Sequence, residues 1–219
     1  MSSEPASGFE LKPEYFERDD DSPDADFYTQ PRFVNHIDDA AIAALREFYR
    51  QALPAGGDLL DLMSSWVSHL PTDQEYRSVT GLGMNEEELA TNPRLTSHVV
   101  HDLNRDPVLP FEDDAFDAAF VNVSIQYLTR PVEVFRDMAR VLRPGAPFAI
   151  AYSNRCFPTK AVSLWRMLGD RDHADLIALY FRLSGGFGQA RAYDISPGPG
   201  TDPMFVVVAE RLAPPVTPG

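Results

Sequence analysis

The 219-residue chain is long enough for one domain with a full core, and a hydrophobic content of 44% marks its bulk as globular. Its 19 basic and 33 acidic side chains leave a net charge of −14, which repels nucleic-acid phosphate and anionic lipid, and no Lys/Arg cluster offsets it. The single cysteine, Cys156, excludes an intrachain disulfide and a thiolate zinc cluster.

No apolar run approaches the ~18 residues that span a bilayer. The polar, acidic stretch Met1–Asp20 does not read as a signal peptide, so a reducing cytoplasm is the expected location. Residues 1–26 are expected to form a flexible acidic arm, because few apolar anchors accompany Arg18-Asp19-Asp20-Asp21-Ser22-Pro23-Asp24. The proline-rich residues 213–219 are expected as a flexible tail, which leaves 27–212 as the domain.

Asp38 or Asp39 caps a first helix with Ile42, Leu45, Phe48 and Tyr49 on one side, and Pro54-Ala55-Gly56-Gly57 ends it. Residues 58–63 read as a short buried strand and 78–84 as a second, weakened by its glycines. Asn85 with Glu88 three residues on opens a helix. Strands follow at 98–101 and 116–123. Pro131 starts a helix over 132–142 with Val134, Phe135, Met138, Val141 and Leu142 as its apolar face, and Arg143-Pro144-Gly145 stops it. A fifth strand at 148–152, helices near 159–168 and 172–184, and strands near 189–195 and 204–210 complete the pattern. Such alternation implies a doubly wound, mostly parallel sheet covered on both faces, with ligands at the carboxyl ends of its strands.

Three segments carry a family likeness: Leu109-Pro110-Phe111-Glu112-Asp113-Asp114-Ala115-Phe116-Asp117, then Gln126-Tyr127-Leu128, then Ala139-Arg140-Val141-Leu142-Arg143-Pro144-Gly145. Their order and spacing resemble small-molecule class I S-adenosylmethionine-dependent methyltransferases, and a broader likeness covers about Asp58 to Leu212. The resemblance implies a single domain with a seven-stranded sheet, the last strand antiparallel, and S-adenosylmethionine as cofactor. It also implies that Asp102 accepts the adenine amine, that the backbone of Leu103 addresses an adenine ring nitrogen, and that Ser124 belongs to the cofactor set. Leu109, Pro110 and Phe111 read as packing, and Arg140 as a surface charge.

The first half of the implied site departs from the family pattern. Where the family has an acid and then Gly-x-Gly-x-Gly, this chain has Asp61-Leu62-Met63-Ser64-Ser65-Trp66-Val67, with Met63, Ser65 and Val67 at the glycine positions. The glycines let backbone approach the cofactor and open φ values that a Cβ disfavours. Ser64 and Ser65 offer hydroxyls, Met63 and Val67 crowd the site, and Trp66 is either a lid or a core residue. Gly83 stands where the family carries a ribose-binding acid. The ribose hydroxyls are left to water, Asn85, Glu86 or the loop serines, and a Gly83→Asp substitution is expected to tighten cofactor binding. Met84 packs on adenine or in the core.

On the substrate side the candidates are His36 as a general base, Tyr127, and Asn154, with Arg155 placed to orient an acidic or carbonyl-bearing substrate. For His36 the plainer reading is a capping or solvent-facing residue. His69 carries no reading of its own, Cys156 is assigned no role, and no His/acid spacing suits a metal. The expected function is methyl transfer to a small molecule, with no nucleic-acid or membrane partner. The alternative is a methyltransferase-fold binding or interaction protein without turnover. Nothing in the sequence fixes an oligomeric state.

Overall fold

A computed structural model of the protein describes residues 11–213. The helices are α1 (Asp24–Phe27), α2 (Asp39–Ala52), α3 (Glu86–Thr91), α4 (Pro131–Val141), α5 (Ser163–Met167) and α6 (Asp170–Ser184). The strands are β1 (Asp58–Ser64), β2 (Ser78–Gly83), β3 (Ser97–Val100), β4 (Ala118–Asn122), β5 (Pro147–Tyr152), β6 (Arg191–Asp194) and β7 (Phe205–Glu210). They form one seven-stranded sheet in the order β3-β2-β1-β4-β5-β7-β6. The first five strands pair in parallel, β1 lying between β2 and β4, and β7 runs antiparallel to both neighbours. The expected mostly parallel, doubly wound sheet is therefore the observed one.

Alternation along each central strand sorts side chains between two cores. Leu60, Leu62, Ala119, Val121, Phe148 and Ile150 face α4 and α6, whereas Leu59, Ala118, Phe120, Ala149 and Ala151 face α2. Asp38 caps α2 by accepting the Ala41 N–H at 2.8 Å, and Asn85 caps α3 by accepting that of Glu88 at 3.0 Å. Arg140 is no free surface charge. It pairs with Asp137 and Asp113 and donates to the carbonyls of Leu109 and Phe111, pinning the loop before β4 onto α4. Between β1 and β2 the chain crosses as an irregular segment, residues 65–77, where a doubly wound sheet ordinarily inserts a helix. Among the described residues no helix is long and apolar enough to cross a membrane.

The expectation of a flexible arm is corrected from Leu11 onward, while its first ten residues and those from 214 lie outside the described chain. Leu11, Tyr15 and Phe16 pack against the α4/α6 core. The Asp20 N–H donates to Thr159 O at 2.9 Å, and the Ser163 N–H to Glu17 O at 2.8 Å. Asp24 forms a buried pair with Arg18 at 2.7 Å, and the Lys160 ammonium, also buried, lies 3.4 Å from Asp20 and Asp24 and donates to Ser22 O. Three apolar anchors and two cations that neutralise the acids hold a segment whose composition alone reads as solvated.

Candidate functional site

The carboxyl ends of β1, β2, β3 and β4 converge on a cleft, roofed by the N-terminal strap from Asp24 to His36 and closed at one end by Phe157. Met63, Ser64, Ser65, Gly83, Met84, Asn85, Asp102, Leu103 and Ser124 line it, together with His36 and Tyr127. Three candidates lie elsewhere. Asp61 and Trp66 border a small separate cavity of about 40 Å³ beneath the 63–69 loop. Trp66 donates its indole N–H to Val34 O at 3.1 Å and meets Phe33 edge-on, so it braces the strap from outside the cleft. Asn154 is exposed and lines neither the cleft nor the cavities beside it.

The degenerate glycine loop keeps a glycine's backbone. Met63 adopts φ +59° where the family has its first glycine, and the β1–β2 register shifts between Leu62 and Ser64. A left-handed conformation is strained for a residue with a Cβ. A buried polar network holds it in place. Asp61 Oδ2 accepts the Ser64 hydroxyl at 2.7 Å. Asn92 donates to Ser65 O and Ser68 Oγ, both at 2.9 Å. Asn122 donates to Ser68 O at 3.0 Å and accepts the Tyr49 hydroxyl at 2.7 Å. Asp61 Oδ1 has no partner among the described residues. Burial pushes its pKa up to about 7, against the opposing effect of the neighbouring Ser68 and Ser64 hydroxyls.

The bulge also explains the missing acid at the end of β2. A Cβ on Gly83 would collide with the Ser64 carbonyl oxygen, with Leu89 close behind. The expected benefit of Gly83→Asp is therefore corrected: backbone, and not a φ requirement, reserves this position for glycine. A carboxylate reaches the same cleft from α3 instead. Glu88 is buried, accepts the Ser65 hydroxyl at 2.6 Å and accepts the Arg32 N–H at 2.7 Å. Sequence reading took Glu88 for a capping partner alone. Asn85 is committed to its cap and to the carbonyls of Tyr28 and Thr29, and Glu86 turns outward to His98.

At the other end, Asp102 Oδ1 accepts the N–H groups of Asn104 and Arg105, which fixes the turn after β3 beside Leu103. Asn104 ties this turn to the strap by donating to Asp24 and to Tyr127 O. The Ser124 hydroxyl in the cleft wall is buried and without a partner among the described residues. Arg32 stacks its guanidinium 4.4 Å from the Phe27 ring centre and 5.4 Å from that of Phe157. Strap residues such as Arg32 carry no signal in sequence, because only tertiary contact brings them over the sheet.

His36 packs edge-on against Phe157 at 5.4 Å and lines the cleft, the small cavity and a further cavity of about 470 Å³ at the end of β5. Desolvation lowers its pKa, against the opposing Glu88 charge and with the nearby Arg32 cation adding to it, which favours the neutral ring. Tyr127 OH accepts the Phe157 N–H at 2.8 Å, and burial pushes its pKa up to about 12. It is therefore a protonated hydroxyl and not a base. The donor set (two carboxylates, an unpartnered serine hydroxyl, apolar Met84 and Leu128) suits a nucleoside with its ring and ribose. The cleft's free volume of about 120 Å³ is below the ~300 Å³ of ordinary ligand sites, so the strap must yield for such a guest.

Comparison with known proteins shows what the chain is similar to. Residues 64–150 match the model of a methyltransferase domain family. One stretch is 31% identical over 67 residues to the biotin biosynthesis bifunctional protein BioHC of Teredinibacter turnerae, covering 31% of this chain and 12% of that protein. Another is 34% identical over 79 residues to the methyltransferase phqN of Penicillium fellutanum, covering 33% of this chain and 24% of that protein. The matches thus span a quarter or less of these curated relatives. A crystal structure of an S-adenosylmethionine-dependent methyltransferase from Aquifex aeolicus superimposes with a TM-score of 0.58 at 16% identity, over 79% of this chain and 92% of that one.

Proposed function

We propose that this chain, of which residues 64–150 match a methyltransferase domain family, transfers a methyl group from S-adenosylmethionine to a small molecule. The observation that carries the reading is the position of His36, a neutral imidazole on the wall common to the cleft and the 470 Å³ cavity beside it. The bound cofactor supplies an electrophilic methyl on sulfur. Glu88 and the Ser65 oxygen would accept the ribose hydroxyls in place of the acid that Gly83 cannot carry. Asp102, the Leu103 backbone, Met84 and Ser124 would hold the adenine end, and the Arg32 guanidinium would be available to the carboxylate. His36 takes the acceptor's proton, and Tyr127 and Phe157 orient the acceptor and exclude water. The acidic surface argues for a small substrate over nucleic acid or membrane, and the proposed setting is cytoplasmic.

Calorimetric titration with S-adenosylhomocysteine tests the reading. Saturable binding is expected, weakened by about 1.5–3 kcal/mol in Glu88→Gln, the range for a hydrogen bond to a charged group. His36→Asn is expected to leave that affinity unchanged and to lower kcat by about 10²–10⁴-fold. Absence of binding at millimolar ligand would remove the catalytic reading and favour the second one, a methyltransferase-fold binding protein without turnover. The small free volume of the cleft is the observation that speaks for that alternative.

A further inference from the structure

The 470 Å³ cavity at the ends of β5 and β7 lies within the ~300–1,000 Å³ range of small-molecule sites. His36, Asp38, Tyr127, Arg155, Phe157 and Asp202 line it. Arg155 was the sequence-based reason to expect an acidic substrate, but its guanidinium is spent: Nε and Nη2 both reach Asp202 Oδ1, at 2.8 and 2.7 Å. The two carboxylates are fixed by backbone. Asp202 Oδ2 accepts the Asp38 N–H at 2.9 Å, and Asp38 accepts those of Asp202 at 2.7 Å and Ala41 at 2.8 Å. With His36 neutral, one positive and two negative groups leave the wall at −1.

The remaining wall is aromatic. Tyr127 and Phe157 stack at 6.0 Å with their planes 29° apart, and His36 meets Phe157 edge-on. Ring faces attract cations, and Phe157 already receives one from this chain, the Arg32 guanidinium. The protein's overall charge of −14 further concentrates cations at its surface.

We infer that this cavity binds the methyl acceptor and selects a small aromatic or alkyl amine over a carboxylate. The catalytic part of this inference rests on the methyltransferase reading, whereas the binding part stands without it. The ammonium form enters on charge and π attraction. It gives one proton to a neutral ring nitrogen of His36, and the freed nitrogen lone pair forms the N–C bond to the methyl of a sulfonium donor. The S–C bond breaks with its electron pair left on sulfur, so the positive charge passes to the methylated amine and a neutral thioether departs.

The test is titration of the full chain with 2-phenylethylamine and with 3-phenylpropionate, followed by calorimetry and by the aromatic proton resonances of Tyr127 and Phe157. The amine is expected to bind and to shift those resonances, and the carboxylate to bind at least about 10-fold more weakly, the margin of a cation–π contact in a desolvated site. Arg155→Gln, at a side chain 60% exposed and thus tolerant of change, is expected to strengthen amine binding. Equal or tighter binding of 3-phenylpropionate, loss of amine affinity in Arg155→Gln, or no binding of the amine overturns the proposal. Parallel titration with S-adenosylhomocysteine separates the two readings. Its binding without amine binding sinks the acceptor site and leaves methyl transfer standing; amine binding without it does the reverse.

Discussion

The Ser64 carbonyl oxygen occupies the space that a Cβ on Gly83 would need. The bulge at Met63 thereby presses the end of β1 onto the end of β2, and the cleft floor is set by two backbones in contact. Gly83→Ala is expected to cost about 1–3 kcal/mol as an overpacked core position, and Gly83→Asp at least as much. Urea denaturation of both variants measures this, and an unchanged midpoint would show that the strands separate without cost.

Met63→Gly removes the side chain from a residue held at φ +59°. Relief of roughly 1 kcal/mol of left-handed strain offsets the lost packing, so stability is expected to stay within about 1 kcal/mol of the parent. The cleft gains room at its floor, and S-adenosylhomocysteine is expected to bind tighter by about 1 kcal/mol. Calorimetry on the two proteins decides it; weaker binding by the glycine variant would give Met63 a contact role.

Asp61 makes stability fall as pH rises. Its folded pKa of about 7 lies above the unfolded model value of 3.8, so between those two values the unfolded chain has lost a proton that the folded chain keeps. The destabilisation accumulates from about pH 4 and is complete above about pH 7. Asp61→Asn is expected to flatten this slope, matching the parent near pH 4 and exceeding it at pH 8. Urea midpoints across that range give the measurement, and parallel curves for the two proteins would mean that Asp61 is not the group responsible.

Asp24→Ala strands the buried Arg18 and leaves the buried Lys160 with Asp20 as its carboxylate. Breaking one side of such a cluster costs about 3–5 kcal/mol, and the strap over the cleft loses its anchor. A fall in Tm of about 6–20 °C follows for a chain of this size. A shift within error would show that solvent reaches the cluster.

The strands and the helix over 132–142 were legible because they rest on local pattern, whereas the seven-stranded sheet was implied by the resemblance. Pro131, the Val134–Phe135–Met138 stripe and Arg143-Pro144-Gly145 state a start, a face and a stop without reference to the rest of the chain. Most of the cofactor candidates at the ends of β2 and β3 converged for the same reason, since strand ends follow from strand assignments. Glu88 was not legible as a cleft residue: its burial depends on the Arg32 N–H, 56 residues away. Lys160 and the strap were hidden likewise, because charge in the 18–24 run reads as hydration until a cation from beyond β5 is brought against it. Trp66 and Asn154 were misplaced by assuming that loop neighbours of a site face it. The loop turns at Met63 and again at His69, both at positive φ, and carries Trp66 outward.

Lys160 fastens a roof over a floor whose two strand ends already touch. A guest too large for the cleft cannot widen it from below, because Ser64 and Gly83 are already in contact, so admission depends on Tyr28 and Arg32 lifting away. Stopped-flow traces should therefore level off as ligand concentration rises, with a plateau set by the unlatching of one buried ammonium and shared by chemically unrelated guests. Residence time would be governed by the same latch, making slow exchange a property of the strap and not of what it encloses.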